Sequence, residues 1–445
     1  MFSTFKEANK YLETLIPKEY KSSEALKLER IKHLLKLLGN PHKSLKLIHI
    51  AGTSGKGSVS YILSHLLTGQ GYKTGLHVSP HLQTIRERMQ IDGQLISEEE
   101  FVKLVNEIKP LVKKTDKDLG LKKPTYFETT VATAFKFFSD NKVDFSVIEV
   151  GLGGRLDATN VANPILSIIT NVDLDHTDIL GNTVEEIAEE KAGIIKKGVP
   201  VVSGVERLAV KNIIAKKAAK NNSKIFFIND EFNFKIKSLD FSGINFDFSW
   251  RGKADPFRIS SPAAYQVENS SIALAAITIL KKQGHEINDE KIKKSLVTAK
   301  IPGRFEIIQK DPLIIFDGAH NPVKVKTLLD SLIKLIPGKK FTFLVAFKKD
   351  KNISEMLKIL SRHAEAFVIT EFNKITDMGR HFTTRTLEIE KTLKELKYSG
   401  GIIIEKDSSL AFEKAKKLSS EKNPLIVTGS LYLVGEIRDI FFPNK

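Results

Sequence analysis

Three glycines and a lysine follow an apolar stretch early in the chain, in the order Gly52-Thr53-Ser54-Gly55-Lys56-Gly57-Ser58. Because glycine has no Cβ, the backbone N–H groups of such a loop can approach phosphate oxygens closely. The helix predicted to follow adds unpaired N–H groups and the positive end of its dipole. Lys56 supplies a positive charge, and Ser58 supplies a hydroxyl for a phosphate or a metal. The segment predicts a loop that binds a nucleoside triphosphate. A tight turn without a ligand is the alternative, since the glycine spacing differs from the usual pattern.

Oxygen-bearing side chains follow two other predicted strands. Ser79 comes directly after a strand predicted at 73–78, and Glu149 lies at the end of one predicted at 144–150, just before three glycines. Side chains at the carboxyl ends of parallel strands lie beside the ligand crevice of an open sheet. Hydroxyl and carboxylate oxygens are ligands that Mg²⁺ prefers. Ser79 is equally well explained as a helix cap or turn residue.

Two segments after a strand predicted at 165–170 carry further candidates. The first is a polar loop that holds Asp173, Asp175, His176 and Asp178. His176 is the strongest candidate there, because neutral imidazole binds metals readily, although a histidine ligand on Mg²⁺ is unusual. The second is the end of a helix predicted at 183–192, where Lys191 follows two glutamates. On spacing alone, Lys191 is best explained as part of a charge pair on the helix surface.

The second half of the chain has a polar cluster of its own. Arg304 lies in P-G-R-F-E, and Asp317 and His320 lie in D-G-A-H-N-P directly after a strand predicted at 313–316. A cleft between two domains is a natural position for a ligand. Asn269, near the start of an apolar helix, could reach the same cleft.

The candidate residues follow strands that alternate with helices, which predicts mainly parallel sheets covered on both faces. Residues 5–38 have helical apolar spacing, residues 79–95 are predicted to be irregular, and residues 232–260 predict a small antiparallel addition. A loop signal near residue 300 interrupts the series. We therefore predict an α/β protein with an N-terminal P-loop ATPase domain at 1–299 and a smaller C-terminal Rossmann-like α/β domain at 300–445.

Composition limits the remaining function classes. The 445 residues include 69 lysines and arginines against 53 aspartates and glutamates, a formal net charge of +16, and no cysteine. Disulfides and thiolate metal sites are thus excluded. The positive charges are dispersed over predicted helix surfaces, so we expect no nucleic-acid partner. No apolar run reaches the roughly 18–20 residues that span a bilayer. We expect no membrane partner and a cytoplasmic location.

The motifs together resemble the folylpolyglutamate synthase and dihydrofolate synthase family, relatives of the muramyl-peptide ligases. Seven motifs occur in the family's order, namely H-I-A-G-T-S-G-K-G-S, S-P-H-L, E-V-G-L-G-G-R-L-D-A-T-N, D-H-T-D-I-L-G, E-K-A-G-I, P-G-R-F-E and D-G-A-H-N-P. One departure is Ser54, where the family more often has asparagine. The resemblance extends through nearly the whole chain.

The resemblance implies roles for matching residues. The loop from Gly52 to Ser58 would hold the phosphates of ATP, together with Asn269, Arg304 and Asp317. The ligands of Mg²⁺ would be Ser79, Glu149, His176 and a carbamylated Lys191, which replaces the surface-pair interpretation. Lys56, Lys191 and His320 would be catalytic. The pteroate site would be bordered by Thr125, Tyr126, Phe127, Glu128, Leu156, Asp157 and Ala158.

The implied reaction is ATP-dependent amide formation through an acyl phosphate, with L-glutamate as the amine. We expect a monomer that accepts both dihydropteroate and reduced folates; the alternative is a folylpolyglutamate synthase alone. A muramyl-peptide ligase is a second alternative, but such enzymes usually carry an extra N-terminal domain, and only about 45 residues precede the first predicted strand, too few for one. A non-enzymatic P-loop module is not favoured, because the second-domain motifs point to acyl transfer.

Overall fold

The computed structural model describes residues 1–17, 28–120, 123–349, 351–372, 375–376, 379–380 and 383–442. The part of the predicted helical stretch at 18–27 lies outside these ranges. The described residues form two large sheets, a three-stranded sheet and a two-stranded ribbon, and they confirm the predicted α/β class.

The first sheet has eight strands in the order β4-β3-β2-β5-β1-β6-β7-β8. Its strands are β1 (Leu47–Ala51), β2 (Thr74–His77), β3 (Gln90–Ile91), β4 (Gln94–Leu95), β5 (Phe145–Glu149), β6 (Leu166–Ile169), β7 (Val201–Ser203) and β8 (Ile225–Phe227). All neighbours are parallel except the pairs that involve β3 and β4. Strand β1 lies between β5 and β6 and is buried along its whole length, as expected of a parallel strand covered on both faces.

Helices cover both faces of this sheet. They are α1 (Phe5–Glu13), α2 (Glu29–Leu37), α3 (Lys56–Gln70), α4 (Glu98–Leu119), α5 (Tyr126–Asp140), α6 (Thr177–Leu180), α7 (Val184–Ala192), α8 (Leu208–Lys220), α9 (Tyr265–Lys282) and α10 (Asp289–Thr298). Ile48 and Ile50 of β1 pack into a core with α3 and α9, whereas Leu47 packs into a core with α4 and α5. The alternation along β1 thus fixes α3, with its phosphate loop, to one face of the sheet.

A small antiparallel sheet confirms the predicted addition. Its strands are β9 (Phe232–Asp240), β10 (Gly243–Trp250) and β11 (Lys253–Ile259), with β10 in the middle. Phe246 and Phe248 of β10 join the core formed by α3 and α9.

The second large sheet has the order β12-β13-β19-β14-β15-β18, parallel except for β12. The strands of this half are β12 (Glu306–Lys310), β13 (Leu313–Phe316), β14 (Phe341–Val345), β15 (Ala364–Ile369), a ribbon of β16 (Ile375–Thr376) and β17 (Gly379–Arg380), then β18 (Gly401–Ile404) and β19 (Leu425–Thr428). Its helices are α11 (Pro322–Leu335), α12 (Ile353–Ser361), α13 (Thr386–Glu395), α14 (Ser408–Leu418) and α15 (Leu431–Phe441). The last helix of the first half ends at Thr298, before β12 begins, and the predicted boundary at 299/300 stays a prediction.

Several elements differ from the sequence expectations. The segment 79–95, predicted to be irregular, contains a 3₁₀ turn at Ile85–Arg88 and the hairpin of β3 and β4. Strands of two residues are too short to show a period of two. Helix α8 and strands β8 and β12 were also not predicted. Among the described helices, none combines the length and apolar character needed to cross a membrane.

A loop at residues 79–87, which we call the bridging loop, joins the two halves. Leu82 packs inside the core of the second sheet with Phe316 and Val434. The Gln83 amide donates to the Asp439 carboxylate at 2.6 Å and to the Phe442 carbonyl at 2.8 Å, both at the end of the chain. The first-half loop is therefore anchored on the second domain.

Candidate active site

Three loops meet at the centre of the first sheet because β5, β1 and β6 are adjacent and parallel. Glu149 ends β5, the glycine-rich segment follows β1, and the polar 173–178 segment follows β6. They line a cleft of about 360 Å³ whose opposite wall comes from the second domain, through Arg304, Asp317 and His320. The structure therefore brings together polar residues from both halves of the chain.

The glycine-rich loop is built as an anion-binding turn. Gly55 precedes α3 in the left-handed conformation, with φ of 83°, and a Cβ there would lie 2.5 Å from the Asn269 side-chain oxygen. The Lys56 ammonium donates to the Gly52 carbonyl at 3.0 Å, which folds it back over the loop. The N–H of Ser54 donates to the Asn171 side chain at 2.7 Å. All seven predicted loop residues except Gly52 line the cleft, and Asn269 lines it as well.

Glu149 and Ser79 are neighbours in the cleft, and their role as metal ligands stays a prediction. The Ser79 backbone N–H donates to Glu149 Oε2 at 3.0 Å, and both residues line the cleft. Burial raises the pKa of Glu149, while the positive charges of Lys56 and Arg304 lower it. The carboxylate faces the start of α3, because a Cβ on Gly57 would lie 3.5 Å from Glu149 Oε2.

His176 and Asp175 lie on the cleft wall beyond the phosphate loop. Burial lowers the pKa of His176 to about 4, although the neighbouring Asp175 carboxylate opposes this. The imidazole is therefore neutral at pH 7 and has a lone pair to donate. Burial opposes ionisation of Asp175, but His176, Lys324 and Lys351 hold its pKa well below the usual range. Lys351 of the second domain lies 3.5 Å from this carboxylate.

Lys191 is buried, with 3% of its surface exposed, so the surface-pair interpretation is wrong. Spacing along α7 could not show that the loop 151–157 covers this end of the helix: a Cβ on Gly154 would lie 2.7 Å from the Glu190 carbonyl. Burial and the charge of Lys56 lower the pKa of Lys191 to about 7. Its amine has no hydrogen-bond or ion-pair partner within the described ranges.

The second-domain wall is organised around Asp317. Its Oδ2 accepts from the Tyr265 hydroxyl at 2.6 Å and the Phe305 N–H at 2.9 Å, and its Oδ1 accepts from the Ala319 N–H at 2.8 Å. Burial raises the pKa of Asp317, and Arg304 lowers it. Tyr265 belongs to α9 of the first half, so this bond ties the halves together. Sequence reasoning missed Tyr265, since a tyrosine at the start of an apolar helix carries no distinctive signal.

His320 pairs with a lysine that the sequence analysis also missed. Its Nδ1 lies 2.8 Å from the Gly318 carbonyl, and its Nε2 lies 3.0 Å from Lys324 Nζ. Burial and the charges of Lys324 and Arg304 lower the pKa of His320 well below its usual value. His320 is therefore neutral.

The residues predicted to border a pteroate site do not line this cleft. Thr125 and Glu128 cap α5 reciprocally, and Glu128 also pairs with Arg30 at 3.0 Å. The Asp157 carboxylate accepts from the Leu152 N–H and from Thr159, and it begins a 3₁₀ turn that includes Ala158. Phe127 lies next to the cleft wall, because a Cβ on the cleft-lining Gly151 would collide with its ring. Tyr126 is buried, and Leu156 is half-buried beside Asp157. Their role stays a prediction.

Comparison with known proteins shows which family this two-part architecture belongs to. Residues 50–277 match the Mur ligase middle domain, and residues 304–440 match the C-terminal domain of dihydrofolate synthetase. The fold and cleft are thus those of a two-domain ligase of the Mur type. A Bacillus subtilis dihydrofolate synthase/folylpolyglutamate synthase is 35% identical over 92% of this chain and 94% of its own. The chain belongs to the dihydrofolate synthase/folylpolyglutamate synthase family.

Two solved structures are similar over almost the entire chain. Mycobacterium tuberculosis folylpolyglutamate synthase complexed with ADP has a TM-score of 0.90 at 26% identity, covering 99% of this chain and 98% of that chain. Escherichia coli FolC in complex with DHPP and ADP has a TM-score of 0.84 at 28% identity, with coverage of 99% and 98%.

Proposed function

We propose that this protein is an ATP-dependent ligase that joins L-glutamate to the carboxyl group of dihydropteroate and of reduced folates. The observation that carries the proposal is the single cleft in which Lys56 and Glu149 of the first domain face Arg304 and His320 of the second. Both relatives' structures named above hold ADP, which supports ATP as the nucleotide.

In the first step, a substrate carboxylate oxygen attacks the γ-phosphorus of ATP and the bond to the β-phosphate oxygen breaks. An acyl phosphate and ADP result. The chain's contribution is to position the triphosphate and to balance its charge. The loop around Gly55 and the start of α3 provide N–H donors, and Lys56 and Arg304 provide positive charge. Three protein donors bind Asp317 and leave about one acceptor site of its carboxylate open, so we assign it both to holding Tyr265 and the Arg304 segment in place and to nucleotide contact.

Mg²⁺ fits the donor atoms of Ser79, Glu149 and His176, which line the cleft, whereas the buried Lys191 is not among the lining residues. Ser79, Glu149 and the neutral His176 would hold the ion, with a carbamylated Lys191 adding a further carboxylate. The described residues contain no group of three or more histidine, cysteine, aspartate or glutamate side chains able to hold a metal by itself. Mg²⁺ bound to a nucleotide takes few protein ligands and completes its shell with water and phosphates. When bound, Mg²⁺ would neutralise charge on the phosphates.

Carbamylation suits the environment of Lys191. CO₂ adds to the neutral amine, a nitrogen–carbon bond forms, and a proton is released, which leaves an anionic carbamate. With the pKa near 7, a large fraction of the amine is neutral at pH 7–8. A carbamate beside Lys56 would replace an unfavourable pair of like charges by an attractive one.

In the second step, the glutamate amine attacks the acyl carbon, phosphate leaves, and the nitrogen loses a proton. Water would hydrolyse the acyl phosphate, so the second domain must close the cleft during this step. His320 is neutral and held by Gly318 and Lys324, and we assign it to orienting the phosphate or the amino acid. We further propose that the enzyme acts as a monomer, since residues of one chain line both walls of the cleft. We also propose that it works in the cytoplasm, which fits a sequence without cysteine.

The test is a ligation assay with two acceptors run separately. We expect glutamate-dependent phosphate release from ATP with dihydropteroate and with tetrahydrofolate, and a product one glutamate larger by mass spectrometry. Activity with only one acceptor would restrict the proposal to that substrate. Absence of product with both acceptors would refute it.

A further inference from the structure

Lys324, in the first turn of α11, is a cationic residue of the cleft to which neither the family motifs nor the reaction above gives a role. It lines the cleft next to His320. A carbonyl oxygen can only accept, so His320 Nδ1 carries a proton and donates to Gly318, and Nε2 is left as an acceptor. Lys324 Nζ, at 3.0 Å, must therefore be the donor to Nε2. The imidazole thus holds the amine in one place and leaves two of its N–H groups directed elsewhere.

Positively charged neighbours of Lys324 outnumber the negatively charged ones. Burial and the nearby charges of Arg304 and Lys56 lower its pKa to about 7, and Asp175 opposes this only in part. Asp175 is already shared with Lys351 at 3.5 Å. Within the described part of the chain, Lys324 itself makes no ion pair. A cation held among other cations is costly until an anion binds beside it.

Two anions need partners in this cleft, the triphosphate and the amino acid. Lys56, the start of α3 and Arg304 are assigned above to the triphosphate. Lys324 lies beside His320 and makes no ion pair within the described residues, so it is left for the amino acid. Glutamate reacts through its amine, so both of its carboxylates stay ionised and need donors throughout the reaction. A compact ammonium with two free N–H groups suits a carboxylate.

We propose that Lys324 binds a carboxylate of the incoming amino acid and so contributes to the selection of glutamate. The inference rests on the proposed ligase function. It adds a recognition residue that acts at the amine-addition step, while the phosphate loop acts on ATP. A rival assignment is that Lys324 binds the transferred phosphoryl group.

The experiment compares Lys324→Met and Lys324→Arg with the wild type in steady-state ligation, varying L-glutamate and ATP in turn. Loss of a charged hydrogen bond predicts a KM for glutamate raised about 10- to 100-fold in Lys324→Met, with the KM for ATP unchanged and a partial recovery in Lys324→Arg. Preference for L-glutamate over L-glutamine should fall if the side-chain carboxylate is the one bound. The matched control is Lys326→Met, an exposed lysine on the same helix, whose kinetics should equal those of the wild type.

The outcomes are distinguishable. If wild-type protein makes no product, the ligase function fails; if the wild type is active and Lys324→Met keeps the wild-type KM for glutamate, only the role of Lys324 is overturned. A raised KM for ATP with an unchanged KM for glutamate would assign Lys324 to the phosphoryl group instead. Should Lys324→Met lose its folded melting transition, Lys324→Gln, which keeps a donor for His320 without the charge, decides between the same results.

Discussion

Replacement of Lys191 by methionine should stabilise the apo-protein while it abolishes efficient ligation. Lys191 is 3% exposed, and burial lowers its pKa from 10.5 to about 7. The unfolded chain therefore binds more protons than the folded protein between these values, and the stability of the wild type rises with pH through this window. From these two pKa values, the buried amine lowers the free energy of unfolding by about 4 kcal/mol at pH 7 and by about 2 kcal/mol at pH 9. Methionine keeps the length and removes the charge.

The assay is urea denaturation of wild type and Lys191→Met in CO₂-free buffer from pH 6 to 9. We expect the variant to be the more stable protein at pH 6–7, with an advantage that shrinks by about 2 kcal/mol by pH 9. Lys197→Met, at an exposed position near the same helix, controls for the general effect of removing a lysine. A variant that is less stable at every pH, or an advantage that does not change with pH, would refute the assignment of a buried, destabilising amine.

Bicarbonate provides the second arm of the same experiment. Added at pH 8, it should raise the melting temperature of the wild type, because CO₂ reacts with the neutral buried amine of the folded protein and far less with the protonated amine of the unfolded chain. It should leave Lys191→Met unchanged. Ligation by Lys191→Ala should be weak and should need more Mg²⁺. Wild-type turnover in that variant, at low bicarbonate and low Mg²⁺, would count against a carbamylated ligand.

Three other substitutions test the remaining parts of the site. Lys56→Met should lower kcat by on the order of 100-fold or more, because charge on the transferring phosphate loses its partner; single-turnover kinetics with wild-type rates would exclude this role. Tyr265→Phe removes one of three donors to the buried Asp317 carboxylate, and urea titration should show a loss of about 1–3 kcal/mol. An unchanged midpoint there would mean that the bond contributes nothing net. Gly154→Ala places a Cβ 2.7 Å from the Glu190 carbonyl, so thermal melting should show a loss equivalent to about 1–3 kcal/mol; a wild-type melting temperature would show that the loop can move away.

The parts of the fold and site that follow from short stretches of sequence could be predicted. The loop at 52–58 follows from glycine chemistry and one adjacent strand–helix pattern, and Glu149 from its place at a strand end. Both lie in the cleft as expected because β1 and β5 are neighbours in the sheet.

Features that depend on distant packing could not be predicted. Lys191 satisfies a surface pattern on its own helix, and only the coverage by the loop at Gly154 buries it. In the sequence, Lys324 cannot be told from any other lysine in the first turn of a helix, and only the folded structure shows its contact with His320. The hairpin of β3 and β4 is too short to have a pattern, and α8 has buried residues only at Val210, Ile214 and Ala218.

The bridging loop has a consequence for how this chain can be cut or recombined. Gln83 is held by Asp439 and the Phe442 carbonyl, only four residues from Ser79, whose N–H contacts Glu149. The last turn of α15 is thus part of the scaffold of the nucleotide end of the cleft, more than 350 residues away in sequence. A C-terminal truncation that removes Asp439 and Phe442 would free Gln83 and so weaken the scaffold of the nucleotide end of the cleft first. A chimera of two relatives joined near residue 300 would need the bridging loop and α15 from the same parent.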